Sequence, residues 1–153
     1  MHRRQLLVAG GSLLALSACA SNGMPMGGGT AAAALEADAA VARALLPTQT
    51  PQAELLRVWT GPYEGVPPWN RVTADKLKAA ILEGIELQRA EYAAIADNPE
   101  PPTFANTMVA SQMSGEPLGR ALAMFGVMTG NIGSPDYQAV QREVAPILTQ
   151  AGN

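Results

Sequence analysis

The chain has 153 residues, of which 48% are hydrophobic and 15% are charged, and its formal net charge at pH 7 is −3. Ten residues are Lys or Arg and thirteen are Asp or Glu; two of the ten, Arg3 and Arg4, lie in a predicted signal, which leaves eight basic residues against thirteen acidic ones. A nucleic-acid-binding groove needs clustered Lys and Arg, and because no such block occurs, the composition excludes a nucleic-acid partner.

Residues 1–18 have the layout of a secretory signal: Arg3 and Arg4 are followed by an apolar run too short to span a membrane, and then by small residues. The cleavage region resembles a bacterial lipobox and reads Leu16-Ser17-Ala18-Cys19. Cys19 is therefore the predicted lipid-attachment residue, which would hold an exported protein at the periplasmic face of a bacterial membrane. The alternative is an ordinary signal that is cleaved near Ala18 or Ala20. The two arginines also resemble a twin-arginine export signal, and a general secretory route fits them equally well.

Residues 19–34 form a predicted flexible tether, because glycines and small residues there cannot bury a core. Residues 35–54 are predicted to form a short helix and a linker. The alanine-rich stretch that ends at Leu46 is compatible with a helix closed by Pro47, and also with a loosely ordered chain.

A long amphipathic helix is predicted over residues 73–97, between two proline-rich loops. Thr73 is a suitable N-cap, and Pro99 ends the helix because proline disfavours helical geometry in the residue before it. Apolar side chains recur at intervals of three and four, which places them on one helical face: Leu77, Ile81, Ile85, Tyr92 and Ile95. The opposite face is predicted to be solvated and to carry most of the charged side chains, which are Lys76, Lys78, Glu83, Glu86, Arg89 and Glu91.

The first proline-rich loop, residues 59–69, has too much Gly and Pro to be a regular helix or a central strand. Its aromatic side chains are Trp59, Tyr63 and Trp69. We expect them to pack against helices, and the alternative is that they stack on a ligand.

Three further helices are predicted after the second proline-rich loop, residues 98–104. The first follows a cap at Thr103 and runs to about Met113. The second starts near Pro117 and ends at residues 130–133, and the third starts at Ser134 and Pro135. Pro146 should bend that third helix. Apolar residues at helical spacing mark the inner faces of the last two helices: Leu118, Leu122, Phe125, Met128, Val140, Val144, Ile147 and Leu148.

Three blocks resemble the N-terminal region of the thimet-oligopeptidase-like zinc metallopeptidases, in the branch of bacterial oligopeptidase A and the peptidyl-dipeptidases. In chain order they are Trp59-Thr60-Gly61-Pro62-Tyr63 with Val66-Pro67-Pro68, then Asn98-Pro99-Glu100-Pro101-Pro102-Thr103-Phe104 with Asn106-Thr107, then Gln141-Arg142-Glu143-Val144-Ala145-Pro146. The second block is the most specific. Ala105 departs from the family's usual acidic residue, and Trp69 replaces a usual Phe. The resemblance covers roughly residues 55–150.

The resemblance implies an all-α fold, in which this chain is a helical segment of one lobe of a two-lobed, channel-containing metallopeptidase. The zinc site of such enzymes uses an HExxH helix, whose two His hold the metal while the Glu takes a proton from bound water. That motif is absent here, and the single His is His2, in the predicted signal. We therefore assign no catalytic residue and no zinc ligand to this chain, and we expect zinc only in the full-length enzyme. Glu83, Glu86 and Glu91 alone would not select zinc.

Two functions remain open. In the first, residues 55–153 are the N-terminal helical region of an exported, lipid-anchored zinc peptidase that hydrolyses short peptides. The C-terminal catalytic part, which is absent from this sequence, would be the partner of these helices. Without that part, the chain alone would be inactive. In the second, the chain is a complete small helical lipoprotein that binds another protein through exposed apolar faces on its last two helices.

Overall fold

The computed structural model describes residues 28–63 and 65–152. His2, Arg3, Arg4, Cys19 and the first part of the predicted tether lie outside these residues. Five α-helices make up most of the described chain: α1 Gly28–Leu45, α2 Ala74–Ala96, α3 Ala110–Met113, α4 Glu116–Val127 and α5 Pro135–Ala151. The described part of the chain contains no β-strand, so the predicted all-α fold is confirmed.

Four shorter helical turns join the helices. Two are 3-10 turns, Glu54–Leu56 and Trp69–Arg71, which lie before α2. Two are π-helical: Phe104–Val109 leads into α3, and Met128–Ile132 follows α4. None of the helices in the described ranges is both long and apolar enough to cross a membrane.

Helix α1 begins earlier than the sequence pattern indicates. Residues 28–34, which the pattern places in the tether, are helical here. Two causes act together: alanine has the highest helix propensity, and α1 lies against the π-helical turn Phe104–Val109 and α3. Ala42 on α1 and Ala110 on α3 are fully buried, so small side chains occupy the interior of this part of the fold.

Helix α2 matches its prediction closely. The Thr73 side chain accepts a hydrogen bond from the backbone N–H of Lys76 at 3.4 Å, which caps the helix as expected. Leu77, Ile81 and Ile85 are at most 1% exposed.

The C-terminal third of α2 departs from the predicted pattern. Tyr92, assigned to the apolar face, is 45% exposed, whereas its neighbour Glu91 is buried. The physical reason is that this part of α2 meets the start of α4. The buried N–H of Gly115 needs an acceptor there, and the carboxylate of Glu91 supplies it.

Helices α4 and α5 pack on α2 and close one core. Gly84 allows the close approach of α4, because a Cβ built there would lie 3.0 Å from the Cα of Leu118. Met124 is fully buried and fills part of the core, and Pro146 lies inside α5. The buried apolar residues come from the chain before α2 and from α2, α4 and α5: Leu55, Leu56, Val72, Leu77, Ala80, Ile81, Ile85, Leu118, Ala121, Met124, Phe125, Tyr137, Val140 and Val144.

Candidate functional site

The first proline-rich loop, residues 59–69, is a tight turn closed by backbone contacts. Val66 donates its N–H to the carbonyl of Thr60 at 3.2 Å, and these two residues form an isolated antiparallel bridge. Between them lies Tyr63, whose φ of 58° puts a non-glycine residue in the left-handed region. That conformation costs roughly 1–2 kcal/mol, so the turn must be held by the contacts on either side of it.

The aromatic side chains of this loop have three different environments. Trp59 packs against the core as predicted, and its buried Nε1 has no hydrogen-bond acceptor within the described residues. Trp69 is 42% exposed and Tyr63 is 95% exposed. The expectation of packing is therefore wrong for Tyr63 and holds only in part for Trp69. Tyr63 lies at the tip of the turn, where none of the described helices covers its ring.

The second proline-rich loop, residues 98–104, ends in a helix start that its own polar residues build. Thr103 Oγ1 accepts from the N–H of Asn106 at 3.1 Å, and Asn106 Oδ1 accepts from the N–H of Thr103 at 2.7 Å. This reciprocal pair is a capping box. Asn106 is buried, and its Nδ2 donates to the carbonyl of Pro101 at 3.0 Å. The most specific of the three blocks therefore supplies a helix cap rather than a reactive group.

The third block lies in α5 and fixes that helix to α2. Val144 is 1% exposed in the core. Glu143 accepts a hydrogen bond from the ammonium group of Lys78 on α2, and this bond raises the pKa of Lys78 above its ordinary value. The contribution of this block is again to packing.

The first two blocks lie at opposite ends of α2. The first loop precedes that helix and the second loop follows it. A helix of 23 residues is about 34 Å long at ~1.5 Å per residue. The ends of the two loops that join α2 are therefore separated by the length of that helix, although both loops carry the resemblance in sequence.

Two carboxylates of α2 bind backbone N–H groups of other segments. Glu83 accepts from Gln52 at 2.6 Å and from Ala53 at 2.9 Å, at the start of a 3-10 turn. Glu91, only 9% exposed, accepts from the N–H of Gly115 at 2.6 Å. Gly115 is the N-cap of α4 and has a φ of 79°, which favours glycine. Carboxylates are stabilising at helix starts because the free N–H groups there carry partial positive charge.

The prediction that Glu83 and Glu91 lie on a solvated face is therefore wrong. Glu86 does lie on that face, where it pairs with Arg89 at 2.6 Å. One feature of the sequence is related to the burial of Glu91. Glu91 stands seven residues after Gly84, so the two lie on nearly the same side of α2, and Gly84 is also buried. The sequence carried no signal for Glu83, whose partners are backbone groups 30 and 31 residues away.

An exposed ionic cluster lies where the 3-10 turn Glu54–Leu56 meets the start of α2. Lys76 donates to Glu54 at 2.7 Å, and Arg71 lies 3.5 Å from the other oxygen of the same carboxylate. The hydrogen bond from Lys76 holds the pKa of Glu54 below its ordinary value. Exposed pairs of this kind contribute little to stability, because water and salt screen them.

Most of the exposed large apolar residues lie outside α4 and α5; Val127, at the end of α4, is the exception within the described ranges. The inner faces of α4 and α5 are buried in the core. They therefore do not form the docking surface expected of a small lipoprotein that binds another protein. Two large apolar side chains instead project from the π-helical turn before α3: Phe104 is 63% exposed and Met108 is 61% exposed.

Within residues 28–63 and 65–152, no group of three or more His, Cys, Asp or Glu side chains is placed to hold a metal ion. The arrangement in these ranges supplies helix caps, a core and an exposed apolar pair.

Comparison of the sequence with known proteins finds similarity to two dipeptidyl carboxypeptidases. The chain is 33% identical over 87 residues to the dipeptidyl carboxypeptidase of Escherichia coli (strain K12). It is 29% identical over 92 residues to the dipeptidyl carboxypeptidase of Salmonella typhimurium (strain LT2). The aligned residues are 57% and 60% of this chain, and they span 13% of the length of each relative.

No family model matches the chain, and no solved structure matches it. The two similarities support a relation to the peptidase family, and they are consistent with the chain being one part of a larger peptidase.

Proposed function

We propose that this chain is the non-catalytic N-terminal portion of a zinc-dependent peptidase that hydrolyses short peptides, of the peptidyl-dipeptidase or oligopeptidase class. The observation that carries the proposal is the 33% identity over 87 residues to the dipeptidyl carboxypeptidase of Escherichia coli. The local structure is compatible with a structural role for these residues, because each block of resemblance contributes to capping or packing helices.

In this proposal the helices form part of one lobe and one wall of a substrate channel. A channel between two lobes admits short unfolded peptides and excludes folded proteins by size. The exposed pair Phe104 and Met108 supports a further contact, since large apolar side chains this exposed are suited to packing against the rest of such an enzyme. Zinc, the HExxH helix and the general base belong to the catalytic lobe.

The proposal also includes export and membrane attachment through Cys19, with Arg3 and Arg4 as part of the export signal. A chain expressed in bacteria with labelled palmitate should carry the label, and Cys19→Ser should abolish it. Equal labelling of the variant would contradict attachment at this residue.

Two measurements test the peptidase proposal. The purified chain should not hydrolyse an unstructured peptide, with or without added zinc; turnover would show that the chain is catalytic. The coding sequence beyond the codon for Asn153 should continue in frame and encode HExxH. A stop codon at that point would instead favour a small lipoprotein that binds another protein.

A further inference from the structure

A cleft of about 360 Å³ lies where α1 meets the rest of the fold. Its walls come from the C-terminal end of α1 with the segment that follows it, from α2, from the end of α3 and from the start of α4. Its volume is at the lower end of the range for small-molecule sites. The cleft therefore suits a molecule of about dipeptide size rather than a helix or a folded partner.

The charged residues around the cleft balance one another. Arg43 and Arg120 contribute two guanidinium groups, and Glu91 and Glu116 contribute two carboxylates. A simple anion would be attracted by the two arginines and repelled by the two glutamates, and the reverse holds for a simple cation. A ligand that carries both a negative and a positive group can place each group beside side chains of opposite charge.

Some of these charges are already engaged within the fold. Arg120 donates its Nε to the carbonyl of Leu56 at 2.9 Å and lies 3.8 Å from Glu116. Arg43 makes no hydrogen bond or ion pair with any residue in the described ranges, and Glu91 uses only Oε2, for the N–H of Gly115. The guanidinium of Arg43 and the second oxygens of Glu91 and Glu116 are therefore available to a ligand, and Glu91 is the more buried of these two carboxylates.

Apolar side chains complete the cleft. Leu46, Leu87 and Met113 line it together with the charged groups. Such walls take up a hydrocarbon side chain, whereas the few polar groups fix its orientation. The leucine and methionine side chains are also compatible with ligands of differing shape, because methionine adapts readily to its neighbours.

We propose that this cleft binds a short zwitterionic peptide with apolar side chains, whose carboxylate pairs with Arg43 and whose ammonium group pairs with Glu91. This proposal goes beyond the proposed peptidase function and does not rest on it, because all of the residues that line the cleft lie in this chain.

The test is calorimetric titration of the purified full chain with the dipeptide leucyl-leucine, its N-acetylated form and its C-terminal amide. Arg43→Ala removes an exposed cation, and Glu91→Gln removes the charge while keeping an oxygen for the N–H of Gly115. Arg142→Ala is the matched control, since Arg142 is an exposed helical arginine outside the cleft. Circular dichroism of each variant checks that the helices are retained.

We expect the free dipeptide to bind in about the millimolar range. Blocking either terminus, or introducing Arg43→Ala or Glu91→Gln, should weaken binding about tenfold or more, and Arg142→Ala should leave it unchanged. The proposal is overturned if the free dipeptide does not bind, if the blocked forms bind equally well, or if Arg43→Ala binds as tightly as the unaltered chain. These outcomes are independent of whether the chain belongs to a longer peptidase.

Discussion

Replacing Gly84 with alanine tests the crossing of α2 and α4. A Cβ at this position would lie 3.0 Å from the Cα of Leu118 and 3.1 Å from its Cβ and Cδ1. Carbon atoms in favourable contact are ~3.5–4.0 Å apart. Because the nearest atom belongs to the backbone of α4, a rotamer change of Leu118 cannot relieve the contact, and the helices must move apart.

The expected magnitude follows from two opposing effects. Forcing extra volume into a packed core costs roughly 1–3 kcal/mol. Alanine is favoured over glycine inside a helix by about 1 kcal/mol. Gly119→Ala on α4 is the matched control, because nothing lies within 4 Å of the Cβ that it adds. The gain in helix propensity is common to both variants, so the free energy of unfolding of Gly84→Ala should be lower than that of Gly119→Ala by about 1–3 kcal/mol.

The assay is urea denaturation followed by far-ultraviolet circular dichroism, with free energies taken from the midpoints and slopes. Both variants should keep the slope of the unaltered chain. If Gly84→Ala proved as stable as Gly119→Ala, or more stable, the close approach of α2 and α4 at Gly84 would be refuted.

Three further predictions use the same assay. Asn106→Ala should destabilise the fold by about 0.5–2 kcal/mol because the N–H of Thr103 loses its acceptor and the carbonyl of Pro101 loses its donor, whereas Asn131→Ala, at an exposed asparagine, should have a smaller effect; equal losses would argue against the cap. Glu83→Ala should cost about 1–2 kcal/mol because two backbone N–H groups lose their acceptor, and an unchanged midpoint would show that water replaces the carboxylate. Glu54, whose pKa is lowered by the hydrogen bond from Lys76, stabilises the fold above its unfolded-state pKa and loses that contribution as the pH falls through the lower folded-state pKa. Glu54→Gln should therefore reduce the loss of stability on acidification through that window, and an identical pH profile for the variant and the unaltered chain would contradict this.

The main helices were predictable from the sequence because local signals determine them. The spacing of Leu77, Ile81 and Ile85 defined the buried face of α2, and Thr73 and Thr103 defined two helix starts. These features depend on residues within one or two turns of each other. The π-helical geometry of Phe104–Val109 was not predicted, since it has no comparable pattern in the sequence.

Features that depend on distant partners were not predictable in the same way. Glu83 was assigned to the solvated face opposite the apolar stripe, and only the folded chain brings Gln52 and Ala53 to it. The exposure of Tyr63 and Phe104 was also missed. Periodicity identifies an apolar side chain but does not determine whether another element is available to cover it. The cleft near Arg43 brings together four segments of the chain, so no single stretch of sequence indicated it.

The proposed function is tested most directly on the natural gene product. An antibody raised against the described helices would isolate that product from its source, and its mass, zinc content and hydrolysis of short peptides would then be measured. We expect a polypeptide much longer than these 153 residues, containing bound zinc and active on peptides. A product no longer than this chain, free of zinc and without peptidase activity, would contradict the proposal.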